Sequence, residues 1–459
     1  MENFWDYNVW GGLNLITFLL LSLLAANVLK KSIRFLRVSL IPTSVLGGIM
    51  LLGISAVYKG LTDTDLLNTA FFGNGGTGAL EIITYHALAL GFVASSFKTS
   101  GEKLTKKRTE EIFNTGVTTV ATYLLQAVVG LIITMIAVLV VKDLIPAAGV
   151  LLPFGYGQGT GQALNYGTIY EMEHGFVGGK SFGLTIAALG FLSASLGGVF
   201  HLYLLRRCGK IETSSAEEGA IQSEMVQLPN EIPMQGSMDK MTVQVALVAV
   251  TYMLAYWMMR LLGGLLPGMR AVIYGFNFLL GVLSATLVRA FLRFWQKKQV
   301  MRKEYVNSFL MTRISNFCFD VMVVAGIAAI RLDMLEKYWG VALVLGGVGL
   351  AITYAYNYYV AKKLFPEYVQ EQFLMMYGML TGTASTGIIL LREIDGEFKT
   401  PAADNMVYQN FPAIVFGFPL MLLATLAPVR PILTLLILMV FFGVMNVILF
   451  REQIFKKKK

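Results

Sequence analysis

The sequence predicts an all-α membrane protein that crosses the bilayer many times. Of its 459 residues, 56% are apolar and only 14% are charged, whereas about 25% of the residues of a soluble domain are charged. The apolar residues form segments of about 20, the length that a helix needs to cross the hydrocarbon core. Basic residues cluster between these segments, so the net charge of +9 is typical of a cytoplasmic membrane face and predicts no binding of nucleic acid.

Eleven such segments are predicted to be transmembrane helices, five in the first half of the chain and six in the second. They lie at 10–29, 39–58, 78–97, 115–141, 182–205, 241–262, 270–292, 312–331, 339–361, 405–428 and 430–450.

The distribution of Lys and Arg predicts the orientation of these spans. When alternate loops are assigned to opposite sides, 29 of the 37 Lys and Arg residues fall on one side and eight on the other. Because positively charged loops resist translocation, the richer side is expected to be cytoplasmic. We therefore predict a multi-pass protein of the plasma (inner) membrane, with its N-terminus outside and its C-terminus in the cytoplasm. The first six residues lack the basic start of a signal peptide, so the first span is expected to remain in the mature protein.

Two glycine-rich segments, at 151–166 and 373–392, are too weakly apolar to be spans. If either crossed the membrane, every later loop would change sides and the charge bias would be lost. Each is therefore expected to be a re-entrant hairpin that enters and leaves by one face, the first from outside and the second from the cytoplasm. Because five spans and one hairpin lie on each side of a polar linker, the second set is expected to be inverted relative to the first.

The predicted organisation has four parts, and a local sequence match supports it. The parts are a first inverted repeat (1–207, re-entrant segment about 148–168), a cytoplasmic linker (208–240), a second inverted repeat (241–428, re-entrant segment about 372–392), and an extra C-terminal transmembrane helix with a basic tail (429–459). Gly155 and Gly378 each begin a run of Gly, three residues, Gly-Thr and a small residue, at an offset of 223. The same offset places the two spans that flank the first glycine-rich segment on spans of the second half.

The glycine-rich segments carry the residues that we expect to bind a solute. Irregular backbone at membrane depth survives only when it is buried in protein or lines a cavity, and a helix that starts after such a turn points free N–H groups at an anion. Close packing of small residues, or hydroxyls that bond back to their own helix, are the structural alternatives. The candidate solute-binding residues are Gly157, Gln158, Gly159, Thr160, Gly161 and Gln162 in the first segment, and Thr381, Gly382, Thr383, Ser385 and Thr386 in the second.

A carboxylate within a predicted span suggests a coupling ion. Asp320 lies near the middle of its span, where a charged group is costly unless it is paired, protonated or bound to a cation. Asn316 lies one turn earlier on the same helical face. A structural pairing of Asp320 with Arg313 or with a hydroxyl is the alternative. Carbonyls freed where the helices break, near Gly155 and Gly378, are candidate ligands of sodium.

The remaining polar residues within the spans predict no cofactor and no enzyme. His86 is expected to be a packing residue rather than a proton acceptor. Cys208 and Cys318 lie too far apart in this topology to pair, and no cluster of His, Cys and carboxylates has metal-ligand spacing. Amides in or beside the spans are further candidates for lining the site: Gln126, Asn357, Gln409 and Asn410.

Motifs along nearly the whole chain resemble those of the bacterial sodium/glutamate symporters. They are Lys31-Ser32-Ile33-Arg34-Phe35-Leu36, Ile41-Pro42, Gly47-Gly48, Gly157-Gln158-Gly159-Thr160-Gly161, the helix from Phe182-Gly183 to Gly197-Gly198, and Thr383-Ala384-Ser385-Thr386. The resemblance implies an inverted-repeat carrier that works as a homodimer through an elevator-like motion. It also implies coupling to sodium and an acidic amino acid as the solute.

Three positions and the loop from Arg392 to Thr400 depart from the pattern of that family. Gln158 stands where a histidine is usual, Ser385 stands where a proline is usual, and Asp320 is also unlike the usual members. The predicted fold is unaffected, whereas the solute is open to alternatives. A proton- or sodium-coupled carrier of a dicarboxylate or related organic anion is the first alternative, and a passive channel and a membrane enzyme are alternatives of other classes.

Overall fold

A computed structural model describes residues 3–97, 105–208, 231, 238–301, 303–395 and 399–455. Within these ranges every regular element is a helix, apart from one isolated β-bridge between Glu231 and Glu304. Ten of the described helices are long and apolar enough to cross a membrane. The predicted all-α, multi-pass membrane protein is thereby confirmed. The basic tail at 456–459 and most of the predicted linker at 208–240 lie outside the described residues.

The helices of the first half follow the predicted spans, with one long interrupted helix in the first glycine-rich segment. They are α1 (Tyr7–Ser32), α2 (Arg34–Val38), α3 (Thr43–Thr62), α4 (Gly76–Ser96), α5 (Lys106–Ala137), α6 (Leu151–His174) and α7 (Gly179–Arg207).

The second half repeats long apolar helices and adds several short ones. They are α8 (Lys240–Leu265), α9 (Arg270–Gly275), α10 (Asn277–Lys297), α11 (Ser308–Ala328), α12 (Leu332–Leu335), α13 (Trp339–Leu364), α14 (Val369–Thr381), α15 (Ala384–Arg392), α16 (Ala402–Tyr408), α17 (Asn410–Leu426), α18 (Pro431–Leu449) and α19 (Arg451–Phe455).

Two predicted spans, at 270–292 and 405–428, are divided in the structure. In the first, α9 ends at Gly275 and α10 begins at Asn277. In the second, α16 ends at Tyr408 and α17 begins at Asn410. Pro412 lies in the first turn of α17, and in a continuous helix its ring would collide with the carbonyl of Tyr408. The continuous apolar part, Pro412–Leu426, is shorter than the ten long helices.

The helices pack in two groups. In the first group, α11 packs on α3 and α4, α10 packs on α4 and α8, and α1 packs on α3. In the second group, α6 packs on α7, α14 packs on α15, and α5 contacts α13, α17 and α18. The groups meet chiefly where α6 packs against α4 and α11. α6 therefore lies at the boundary between them.

Ion pairs near the helix ends fall into two sets, and each set lies on one predicted side of the membrane. On the predicted outer side they are Lys59–Asp65, Lys59–Asp333, Lys180–Glu81, Arg331–Glu81 and Lys337–Asp143. On the predicted cytoplasmic side they are Lys107–Glu367, Arg108–Glu111, Arg108–Asp404, Arg206–Glu393, Lys240–Glu231 and Arg451–Glu110. This pairing is the one expected if the helices alternate in direction as predicted.

Within the predicted linker, Glu231 packs against the helices, whereas Cys208, Met238 and Asp239 are exposed. Glu231 is buried and accepts hydrogen bonds from Lys240 Nζ and Asn307 Nδ2, both at 2.6 Å. Asn307 in turn caps α11 by accepting a hydrogen bond from the backbone N–H of Leu310. Two buried charges are stable only when they are paired and hydrogen-bonded, so this contact attaches the end of the linker to the starts of α8 and α11.

Candidate functional site

α6 folds back on itself at Gly159. In a straight helix Phe154 and Tyr166 would lie about 18 Å apart, yet their rings stack with centroids 3.9 Å apart and planes at 11°. Gly159 has φ 76° and ψ −170°, a backbone conformation that is essentially restricted to glycine. The first glycine-rich segment is therefore two helical arms joined at Gly159.

The second glycine-rich segment is also interrupted, with a different backbone conformation at its glycine. α14 ends at Thr381 and α15 begins at Ala384, with Gly382 at φ −131° and ψ −106° between them. The two arms lie side by side, because a Cβ atom added to Gly378 would lie 2.8 Å from the Cα atom of Gly387. Glycine at both positions permits this close approach.

The two interruptions meet each other. A Cβ atom added to Gly159 would lie 3.4 Å from Cγ2 of Thr383 and 3.6 Å from Cε of Met322 on α11. Thr160, the first residue after the turn, is buried and donates a hydrogen bond to the carbonyl of Met322 at 3.2 Å. We call the region around Gly159, Thr160, Gly382, Thr383 and Met322 the break site.

α5 contacts the helical arm that leads into each interruption. The Tyr123 hydroxyl donates to the carbonyl of Gly157 at 3.0 Å, and Gln126 Nε2 donates to the carbonyl of Leu380 at 3.0 Å. A helix that ends leaves its last carbonyls without partners in the helix. Tyr123 and Gln126, one turn apart on α5, therefore each satisfy one such carbonyl. Tyr123 serves the first arm of α6, and Gln126 serves α14.

Two buried amide atoms near the break site have no hydrogen-bond partner among the described residues. They are Oε1 of Gln126, which can only accept, and Nε2 of Gln162, which can only donate. Gln126 is fully buried and Gln162 is 1% exposed. Leaving such an atom unpaired costs about 1–3 kcal/mol, so a ligand that supplied both a donor and an acceptor would recover that cost.

The sequence matches no protein-family model and no curated protein.

The other predicted residues of the first segment, except Gly155, lie in or beside the break site. Gly157 packs against the ring of Tyr123, and Gly161 packs against Leu88 of α4. Gln158 is half-buried next to the turn. Gly155 lies farther from the turn, where a Cβ atom would approach the backbone of Ala187 to 2.8 Å. Gly155 therefore permits close packing of α6 on α7.

The hydroxyls of the second segment are only partly directed to the break site. Thr381 bonds back to the carbonyl of Tyr377 at 2.6 Å, as the structural alternative predicts. The hydroxyls of Thr383 and Thr386 lie 3.5 Å apart beside the turn. Gly378 accepts a hydrogen bond from the N–H of Gly382 at 3.0 Å. The side chain of Ser385 lies outside the described residues.

The structure does not bring Asp320 and Asn316 to the break site. Asp320 is two residues from Met322, so its side chain points about 200° around α11 from the Met322 side chain. Both polar side chains are exposed, and the hydroxyl of Ser44, in the first turn of α3, lies close enough to the Asp320 carboxylate to favour its charged form. The partial positive charge at the start of a helix also stabilises a carboxylate. The surroundings of Asp320 therefore correspond to the structural alternative, in which its neighbour is a hydroxyl.

A column of polar side chains on α5 leads from the predicted cytoplasmic end to the break site. Its members recur every three or four residues, which places them on one helical face. Each pairs with a side chain of the second half: Thr115 with Gln372, Thr119 with Gln409, Thr122 with Asn357, and Gln126 with Thr353. Three of the four predicted amides, all except Asn410, are therefore buried partners in this column.

A further polar contact lies next to the column. Asn405 Nδ2, on α16, donates a hydrogen bond to the hydroxyl of Tyr368, the residue that precedes α14. Burial raises the pKa of Tyr368 far above its ordinary value.

Tyr123, Met322 and Thr353 are site residues that the sequence patterns do not single out. The polar column on α5 could have been found from the sequence, because Thr115, Thr119, Thr122 and Gln126 follow helical spacing in an otherwise apolar span.

His86, predicted to be a packing residue, bonds through Nδ1 to the Tyr252 hydroxyl at 2.8 Å. Among the described residues, no group of three or more His, Cys, Asp and Glu side chains is placed to hold a metal ion.

Proposed function

We propose that this chain is a secondary active transporter that carries an acidic amino acid together with sodium by alternating access. The observation that carries the proposal is the contact between Gly159 and Thr383, where two interrupted helices meet inside a multi-pass membrane protein. Paired helix interruptions are the arrangement with which carriers bind a solute near the membrane midplane. The motif resemblance supplies the acidic amino acid and the sodium ion.

Neutral groups at the break site suit a carboxylate. The arms that start at Thr160 and Ala384 begin beside the two turns, and the first N–H groups of a helix carry a partial positive charge. Nε2 of Gln162 is a further buried donor near the first turn. None of the residues that define the break site is charged, so hydrogen bonds and helix ends would hold the anion.

The unpaired acceptor favours an amino acid over a dicarboxylate. An amino acid carries an ammonium group that can donate to Oε1 of Gln126, whereas an ionised dicarboxylate has only acceptors. Carbonyl oxygens at the ends of α14 and of the first arm of α6 fit the oxygen ligands of sodium, because a carbonyl oxygen has two lone pairs and can take a second contact. Sodium rather than a proton is favoured as the coupling ion, because the residues that define the break site include no titratable group and Asp320 lies on another face of α11.

The two interruptions also support inverted repeats with re-entrant hairpins. Gly159 and Gly382 are separated by the offset of 223 that relates the two sequence motifs. The division into two helix groups that meet at α6 suits a motion of one group against the other, and we propose that this motion occurs in a homodimer within the plasma (inner) membrane.

Uptake by reconstituted protein tests the proposed function. In liposomes, an inward sodium gradient is expected to drive accumulation of labelled glutamate, and excess unlabelled acidic amino acid is expected to compete. A sodium ionophore should abolish accumulation. Accumulation of a dicarboxylate under a proton gradient alone would favour the alternative carrier, and conductance without counterflow exchange would favour a channel.

The proposed orientation predicts which cysteines a membrane-impermeant thiol reagent reaches. Cys208 is exposed at the predicted cytoplasmic end of α7, and Cys318 is buried. In intact cells Cys208 should stay unlabelled until the membrane is permeabilised. An Asp63→Cys variant in a Cys208→Ser background should be labelled at once, because Asp63 follows α3 on the predicted outer side. Labelling of Cys208 in intact cells would reverse the orientation.

A further inference from the structure

Polar contacts join the two helix groups between the break site and the predicted outer side. α6 and α7 belong to the second group, whereas α4 and α11 belong to the first. Asn165, on the second arm of α6, donates a hydrogen bond to the carbonyl of Gly275 at the end of α9, at 3.1 Å. Ser181, at the start of α7, accepts a hydrogen bond from the backbone N–H of Arg331, which follows α11, also at 3.1 Å. The boundary between the groups is therefore bridged in this half of the protein.

An ion pair also crosses this boundary. Lys180 Nζ, in the first turn of α7, lies 2.8 Å from Oε2 of Glu81 on α4. The two side chains are 20% and 14% exposed, so salt screens the pair less than it would screen a fully exposed one. The backbone N–H of Lys180 donates to Oε2 of Glu171 at 3.2 Å, on the second arm of α6. Lys180 thus connects both α6 and α7 to α4.

Glu81 has a second partner, which belongs to its own group. Arg331 Nη2 lies 3.0 Å from Oε1 of Glu81, and α11, which Arg331 follows, packs on α4. Breaking a buried ion pair is costly chiefly because it leaves a charge without a partner. If α7 moved away, Glu81 would keep Arg331, and Lys180 would be hydrated at the outer end of α7. The Glu81–Lys180 pair is therefore one that can break and form again.

We propose that the Glu81–Lys180 pair is a gate, which holds the two helix groups together on the predicted outer side and opens during each transport cycle. The inference rests on the proposed function, because it requires one group to move against the other. A contact that exists in only one of two conformations shifts the population towards that conformation. The pair stabilises the present conformation and is absent when the break site opens to the outer side.

The labelling rate of a cysteine at the boundary tests the gate without solute. Leu88 on α4 is 1% exposed, and a Cβ atom added to Gly161 of α6 would lie 2.9 Å from its Cβ atom. A Leu88→Cys thiol therefore reacts when the groups separate. In detergent-solubilised protein without the two native cysteines, Lys180→Gln should raise the labelling rate about three- to tenfold, between the effects of exposed and of buried ion pairs. Lys180→Arg, which keeps the charge, should label at close to the wild-type rate.

Lys337→Gln is the matched control for this measurement. Lys337, just before α13, pairs with Asp143, just after α5, at 3.0 Å on the same predicted side. Because α5 and α13 both belong to the second group, loss of this pair should leave the labelling of Leu88→Cys unchanged. An equal rise in Lys337→Gln, or no rise in Lys180→Gln, would overturn the proposal.

Cross-linking tests whether the gate must open for transport. A Glu81→Cys/Lys180→Cys variant treated with a short reducible cross-linker should lose sodium-driven uptake and regain it on reduction. The same treatment of an Asp143→Cys/Lys337→Cys variant should leave uptake unchanged. Normal uptake by the cross-linked Glu81→Cys/Lys180→Cys protein would exclude the gate and leave the proposed function intact. Absence of uptake by wild type would contradict the proposed function instead, and the labelling rates would then decide whether the pair holds the groups together.

Discussion

Replacing Gly159 with alanine is expected to reduce transport by about ten- to hundredfold while the protein still folds and inserts. The reason is conformational rather than steric. A Cβ atom at this position would lie 3.4 Å from Thr383 and 3.6 Å from Met322, which is ordinary van der Waals contact. At φ 76° and ψ −170°, however, a residue other than glycine costs about 1–3 kcal/mol. The turn would shift to relieve that strain, and the contact between the two interruptions would change. Initial rates of sodium-driven uptake, compared at equal amounts of reconstituted protein, measure the effect.

Gly347→Ala is the control for this variant. Gly347 lies inside α13, and a Cβ atom there would meet nothing within 4 Å. Alanine is favoured over glycine inside a helix by about 0.8–1 kcal/mol, so this variant should be at least as stable as wild type and should transport normally. Wild-type uptake by Gly159→Ala would show that transport does not require the present geometry of the turn.

Replacing Gln126 with methionine is expected to have the second large effect. Methionine has a similar size but cannot donate to the carbonyl of Leu380 or to Thr353, and it lacks the unpaired Oε1 atom. A buried carbonyl without its donor costs about 1–3 kcal/mol, and the ligand loses a proposed acceptor. Transport should fall by more than about tenfold, and the apparent affinity for sodium or for the amino acid should weaken. Uptake rates at varied concentrations of each measure these two affinities.

Asn446→Leu separates a loss of stability from a loss of binding. Asn446 on α18 accepts a hydrogen bond from Tyr356 at 2.9 Å, and the pair is part-buried. The two variants should lower the unfolding temperature to a similar degree, but only Gln126→Met should change the affinities. Unchanged affinities in Gln126→Met would exclude Oε1 as a ligand group.

The spans and the positions of the interruptions could be predicted because their causes are local. Length and apolarity decide whether a helix crosses the bilayer, and Gly159 and Gly382 lie inside the motifs that the offset of 223 relates. The break before α17 was missed, although its cause is the local clash of Pro412 with the carbonyl of Tyr408. There the apolar composition of the segment outweighed the proline.

The partners within the site could not be predicted, because they are distant in sequence. Gln126 pairs with residues 227 and 254 positions away, and no local pattern specifies which carbonyl an amide will reach. The environment of Asp320 could not be predicted either. The local sequence of its span is the same whether the carboxylate faces the break site or the start of α3. Only the packing of α11 decides between these two environments.

The hydrogen bonds from α5 have an energetic consequence. Tyr123 and Gln126 hold carbonyls near different interruptions, so a rearrangement at one interruption that displaces α5 alters the free energy of the other. Such coupling is reciprocal: an ion that tightens the binding of the solute by some factor must itself be bound more tightly, by the same factor, when the solute is present. Cooperativity between two ligands would then arise from a single rigid helix that both must accommodate.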